Sequence, residues 1–123
     1  MSLNLAKEVE DVRGKILFFS YGNKKINVVE IKKNFARGGH YHSYESDHNL
    51  ILGKIEYREE NVKTKKEQSK IITSPAIIHV PRNTAHVLIA LEDSIFVEVF
   101  DKKYDAINYT KYRTIVEERM KIN

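Results

Sequence analysis

The chain has 123 residues, 41% of them hydrophobic and 31% charged, with a formal net charge of +4, a length that suits one domain, residues 1–123, with its own core. It contains no cysteine, which excludes disulfides, thiolate metal sites and cysteine nucleophiles. Acids are interleaved among the bases, as in Arg58-Glu59-Glu60 and Glu117-Glu118-Arg119, so a phosphorylated small molecule fits the charge balance better than a nucleic acid.

No apolar run approaches the roughly 18 residues that span a bilayer, and residues 1–20 lack the charged-apolar-small order of a secretory signal. A cytoplasmic protein without a membrane partner is therefore expected. Residues 4–13 are polar and weakly periodic and read as an arm or a short helix. Residues 16–21 form a β-type run that ends at the turn signal Gly22-Asn23. Residues 26–31 alternate, with Ile26, Val28 and Glu30 sharing a face. Residues 34–39 contain the paired glycines Gly38 and Gly39, and residues 49–56 are apolar around Gly53. Ile71-Ile72 and residues 76–80 flank Pro75, and runs at 87–91 and 95–100 are separated by Glu92-Asp93-Ser94. Many short strands at this spacing predict an all-β sandwich or barrel.

The charge-rich stretch 63–70 reads as a solvated hairpin end. From residue 105 to 120 the period changes. Tyr109, Tyr112, Val116 and Met120 fall at steps of three and four, and Ile115 joins them. That spacing predicts an amphipathic C-terminal helix whose stripe packs on the barrel or across a dimer.

All five histidines lie between residues 40 and 86. On a strand, His40 and His42 project to the same side, and His86 on a neighbouring strand can join them. Clustered imidazoles bind metals or move protons near neutral pH. Two readings of the pair stay open: metal ligands, or a metal-free acid/base pair. Glu98 has two readings as well. If Phe96 and Phe100 face inward, Glu98 does too, needs a partner and is a candidate base; if Val97 and Val99 face inward, it is solvent-exposed. Arg37 and Arg82 are candidates to meet a phosphate or carboxylate, and His79 to line a pocket. Tyr41 and Tyr44 read as packing or rim residues.

The stretch Gly38-Gly39-His40-Tyr41-His42, followed by Asp47 and Gly53, resembles the first sequence motif of the cupin superfamily, and Pro81-Arg82-Asn83-Thr84-Ala85-His86 resembles the second. The resemblance covers roughly residues 26–100. It departs from the pattern in having Asp47 for glutamate one residue nearer Gly53, with Glu45 and His48 as rivals, and in having Asn83 for a glycine, a residue that tolerates a left-handed turn. Pro75 and Ala90 also depart from it.

Arg37-Gly38-Gly39-His40-Tyr41-His42 further resembles a stretch of the bacterial sugar-nucleotide and capsular-polysaccharide cupins. The resemblance implies a cupin β-barrel (double-stranded β-helix, jelly roll) over about residues 14–101, a helix over about 105–120, and a homodimer. It implies a divalent transition metal (Zn, Mn, Ni or Fe) on His40, His42, Asp47 and His86, with His40 and His42 as catalytic groups and Arg37, His79 and Glu98 at the substrate pocket. The function it implies is isomerisation or epimerisation of a small keto-sugar or nucleotide-linked sugar. An iron dioxygenase and a non-catalytic sugar- or anion-binding module are the alternatives. A binder needs no perturbed acid/base pair, which separates it from the enzymes.

Overall fold

The computed structural model describes residues 1–101 and 104–122. Its elements run β1 (Leu3–Asp11), β2 (Gly14–Tyr21), β3 (Lys24–Ile31), β4 (Ala36–Tyr41), β5 (Ser46–Leu52), β6 (Lys54–Asn61), β7 (Glu67–Thr73), β8 (Ala76–Val80), β9 (Thr84–Ala90), β10 (Ser94–Phe100), β11 (Ile107–Asn108) and α1 (Thr110–Ile122). They form two antiparallel sheets, one ordered β1-β2-β3-β10-β5-β8 and the other β11-β4-β9-β6-β7. The architecture is an all-β jelly roll with a C-terminal helix, as the strand spacing predicts. Among the described residues no helix is long and apolar enough to cross a membrane.

The first core lies between the sheets. Val29, Ile31, Leu50, Tyr57, Leu88 and Phe96 are among its buried members, and burial of such side chains contributes about 1.5–3 kcal/mol each. A second core lies between the five-stranded sheet and α1. Tyr112 and Val116 of the helix pack there on Ala36, Ala85, Val87 and Ile89. All seven residues of β9 are therefore buried. Its odd-numbered residues meet the helix, while Leu88 and Ala90 join the inner core. The helix is also pinned by Lys111, whose Nζ lies 2.7 Å from Glu60 and 3.0 Å from Glu67, and by the Tyr112 hydroxyl, which donates to Glu67 at 2.8 Å.

Two expectations are corrected, and one is completed. Residues 4–13 are neither arm nor helix but most of β1, an edge strand exposed along its whole length. With water on both faces it carries no alternation to read. In β3 the deeply buried residues are Val29 and Ile31, so the Ile26-Val28-Glu30 face points outward. The helix begins at Thr110 rather than near 105, because residues 107–108 first pair with β4.

The glycine pair in β4 has a specific purpose. Gly38 pairs with Val87, yet His40 pairs with His86, so Gly39 is an extra residue in the ladder. Such a bulge re-aims the side chains that follow it. Both glycines have positive φ, 102° and 81°. A Cβ at Gly39 would lie 2.7 Å from the Arg113 Cα in α1, so the helix also needs the bare backbone. Gly39→Ala is expected to cost about 3 kcal/mol, from left-handed strain and loss of helix docking. Urea unfolding at neutral pH measures this, and an unchanged midpoint would refute the account.

Candidate metal centre

β4 and β9 place His40 opposite His86, and His42 follows two residues on, on the same side. One ligand atom from each of His40, His42 and His86 lies within 4.8 Å of the other two. The rings are 4.8 Å (His40–His42), 4.9 Å (His40–His86) and 5.5 Å (His42–His86) apart between centroids. The turn before β9 holds this geometry. Asn83 takes a left-handed φ of 55°, as expected of a glycine substitute, and its N–H donates to the His42 carbonyl at 2.8 Å.

Backbone carbonyls set the tautomers. His86 Nδ1 donates to the Thr84 carbonyl at 3.3 Å, leaving Nε2 buried without a partner. His42 Nδ1 donates to the Asp105 carbonyl. This is how metal-ligating histidines are ordinarily oriented, with one nitrogen held and the other free. Burial, reinforced by the neighbouring imidazoles and by Arg113, pushes His40 down to about 4. Burial also holds His86 well below its ordinary value. A neutral imidazole is the form that ligates. The orphaned His86 nitrogen and the all-imidazole donor set fit a divalent ion such as Zn, Mn, Ni or Fe.

The triad lines a cavity of about 780 Å³, large enough for a small metabolite. His48 is buried on the inner side of β5, its ring 5.4 Å from that of His86, and burial pushes it down to about 4. Glu98 lines the cavity with Phe96 and Phe100, which decides its two sequence readings in favour of the inward one. Its Oε2 lies 3.8 Å from His48 Nε2. Burial pushes Glu98 up to about 7, against a smaller opposing effect of His42.

The structure does not bring Asp47 to the triad. Strand alternation turns it outward when His48 turns inward, and it sits 2.8 Å from His79 Nδ1. Glu45 is there too, 3.5 Å from His79 Nε2. The three form an exposed ionic cluster, so His79 does not line the cavity. Arg37 does line it, but its Nε and Nη2 donate to the carbonyls of Glu30 and Gly14 at 2.8 and 3.1 Å. Arg82 is exposed and lies outside the cavity.

Sequence reasoning missed Arg113 and Tyr104, which also line the cavity. The Tyr104 ring lies 5.5 Å from that of His42, edge-on, and Tyr44 stacks on the same His42 ring at 4.8 Å. No local pattern marks either residue, since each arrives from the C-terminal segment folded back over β4.

No family model matches the chain, and no curated protein is detectably similar in sequence. Solved structures do match. CapF, described as a capsular polysaccharide assembling protein from Staphylococcus aureus, aligns with a TM-score of 0.70 at 16% identity over 84% of this chain and 34% of its own. The oxalate decarboxylase of Lactobacillus farciminis, in a formate complex, aligns at 0.71 and 20% identity over 95% of this chain and 39% of its own. A Bacillus subtilis oxalate decarboxylase variant aligns at 0.74 and 16% identity over 87% of this chain and 31% of its own. The likeness is one of fold, and this chain spans about a third of the length of these neighbours.

Proposed function

From a chain with the cupin fold, we propose a metal-dependent isomerase or epimerase acting on a small keto-sugar or nucleotide-linked sugar. The observation that carries this reading is the convergence of three imidazoles on one wall of a metabolite-sized cavity. His40, His42 and His86 would hold the ion, which when bound supplies Lewis-acid polarisation of a carbonyl oxygen. His48 is the cavity imidazole outside the triad, and it faces Glu98. It is the group free to carry a proton to or from the adjacent carbon. A carboxyl pushed up to about 7 beside this imidazole favours an enzyme over a passive binder. Lys7, Arg13, Lys25, Arg37 and Arg113 also line the cavity, which suits the phosphates of a nucleotide-linked sugar. CapF's description as a capsular polysaccharide assembling protein points the same way.

The proposed homodimer has a surface to form on. Val99, Ile51 and Ile77 are exposed on the outer face of the six-stranded sheet, at 52%, 56% and 70%.

Solvent exchange tests the activity. The Zn- or Mn-loaded protein, incubated in D2O with a panel of nucleotide-linked keto-sugars, is expected to incorporate deuterium beside the carbonyl, followed by proton NMR. His48→Gln is expected to slow incorporation at least about tenfold while leaving metal content unchanged. Exchange no faster than the protein-free control across the panel would overturn the proposal.

A further inference from the structure

Along β3, Lys25, Asn27 and Val29 line the cavity, and exposure falls in that order. Lys25 is exposed, Asn27 half-buried and Val29 buried, so the cavity opens at the Lys25 end. Strand register extends each position into a row across the six-stranded sheet. Val29 lies between Ile16 and Phe96, an apolar floor. Asn27 lies between Phe18 and Glu98, and Lys25 between Ser20 and Phe100. From β1, Lys7 pairs with Phe18, its Nζ 6.0 Å from the ring centroid. Alternation puts Lys25 and Asn27 on the face that Val29 and Ile31 give to the core. The inner face of the sheet thus turns from apolar to basic toward the mouth.

The cations lining the cavity are not equivalent. Arg13 is paired with Asp11 at 2.6 Å, and Arg37 donates to backbone carbonyls. Arg113 donates to the Gly38 carbonyl at 3.3 Å and to Glu117 at 3.4 Å. Lys7 and Lys25 have no anionic partner among the described residues. Glu98, the one acidic side chain among the described residues that line the cavity, faces His48 at 3.8 Å. Unpaired ammonium groups in a concave wall focus their field on an anion. Phe18 and Phe100 stand beside them, and an aromatic ring is a platform on which any nucleobase stacks. Free positive charge next to aromatic rings matches a nucleoside diphosphate better than a bare sugar.

We propose that the mouth of the cavity, at Lys7, Lys25 and Asn27, holds the nucleoside diphosphate part of the substrate, with the sugar directed inward to the histidine triad. The inference rests on the sugar-isomerase reading above and narrows it to nucleotide-linked sugars.

Calorimetry on the full-length protein tests it, with a chelator present so that no metal ion recruits the diphosphate. The probes are the diphosphates of the common nucleosides, with inorganic pyrophosphate and the unphosphorylated nucleosides as part-ligands. At least one nucleoside diphosphate is expected to bind more tightly than either of its parts. Lys25→Met is expected to weaken that binding at least about tenfold, and Lys25→Arg to restore most of it. Lys24→Met removes the same charge from the opposite face, where Lys24 pairs with Asp101 at 3.7 Å, and is expected to change nothing. The thermal midpoint is expected to stay put in Lys25→Met, because Lys25 is exposed. Wild-type affinity in Lys25→Met, or an equal loss in Lys24→Met, would overturn the inference. Pyrophosphate binding as tightly as every nucleoside diphosphate would overturn it too, leaving a simple anion site. If no nucleoside diphosphate binds, the inference falls, and deuterium exchange into a free keto-sugar would still uphold the isomerase. Lys25-dependent binding without exchange in any nucleotide-linked sugar would support the inference and remove the isomerase reading.

Discussion

Replacing His42 with alanine is expected to weaken divalent-metal binding at neutral pH by at least about a hundredfold while leaving the barrel folded. The triad has no ligand to spare, since three imidazoles define the centre. Loss of a residue that merely orients a ligand already weakens metal binding by about 10–100-fold. The ligand itself matters more. His42 also holds the chain together locally, because its Nδ1 donates to the Asp105 carbonyl. The Ser43 N–H donates to the Asp105 carboxylate at 3.1 Å, and this second contact survives the substitution. His86→Gln serves as the companion variant, since glutamine keeps bulk at a site with no exposed surface. Elemental analysis and Zn2+ calorimetry give the metal readout, and circular dichroism gives the fold. Wild-type zinc content in both folded variants would refute the centre. Unfolding of His42→Ala, with metal retained by His86→Gln, would make His42 a structural residue.

Lowering the pH from 7 to 4 in the presence of a chelator is expected to destabilise the protein by about 3 kcal/mol. Burial depresses His40 and His48 from their ordinary value to about 4, and His86 moves in the same direction. A histidine depressed in the folded state binds protons more readily when unfolded. Its stabilising effect is full above about 6.5 and is lost as the pH falls toward 4. The two quantified histidines together give ~7 kcal/mol over that window, at about 1.4 kcal/mol per pH unit each. Glu98 works the other way. Its carboxyl is pushed up to about 7, so the folded state holds that proton more tightly and gains stability as the pH falls from 7 to 4.5. It cancels about half of the histidine effect, and the remainder is a net loss.

Urea midpoints at pH 7, 5.5 and 4 measure this. Added Zn2+ at a hundred times its Kd is expected to raise stability at pH 7 by about 2.7 kcal/mol, and by less at lower pH, because protons compete for the same nitrogens. A stability that rises as the pH falls from 7 to 4.5 would show that the Glu98 effect stands unopposed and that burial does not hold these imidazoles neutral.

Most strands are legible because their burial is one-sided or their punctuation is strong. Residues 16–21 run up to Gly22-Asn23, and the structure ends β2 at Tyr21. The C-terminal stripe is legible for the same kind of reason, with Tyr112 and Val116 buried on the sheet. β1 is not legible, because an edge strand wet on both faces shows no period. The apolar stretch around Gly53 hides a change of sheet, with β5 in one and β6 in the other. Gly53, at a φ of 102°, sits where Ser94 leaves no room for a side chain.

The candidate site divides along a similar line. The His-x-His spacing is enough to put His40 and His42 on one face, because alternation is a property of adjacent residues, whereas His86 is singled out by the resemblance to the second cupin motif. The same alternation sets Asp47 and His48 on opposite faces but does not say which face is the inside. The tertiary structure decides that through the pairing of β5 with β8 and β10. It likewise chooses the inward reading of Glu98. It carries Arg113 and Tyr104 into the cavity, and it uses the Gly39 bulge to bring His40 level with His86. Those outcomes depend on register and on packing between residues far apart in the chain, so no stretch of a few residues contains them.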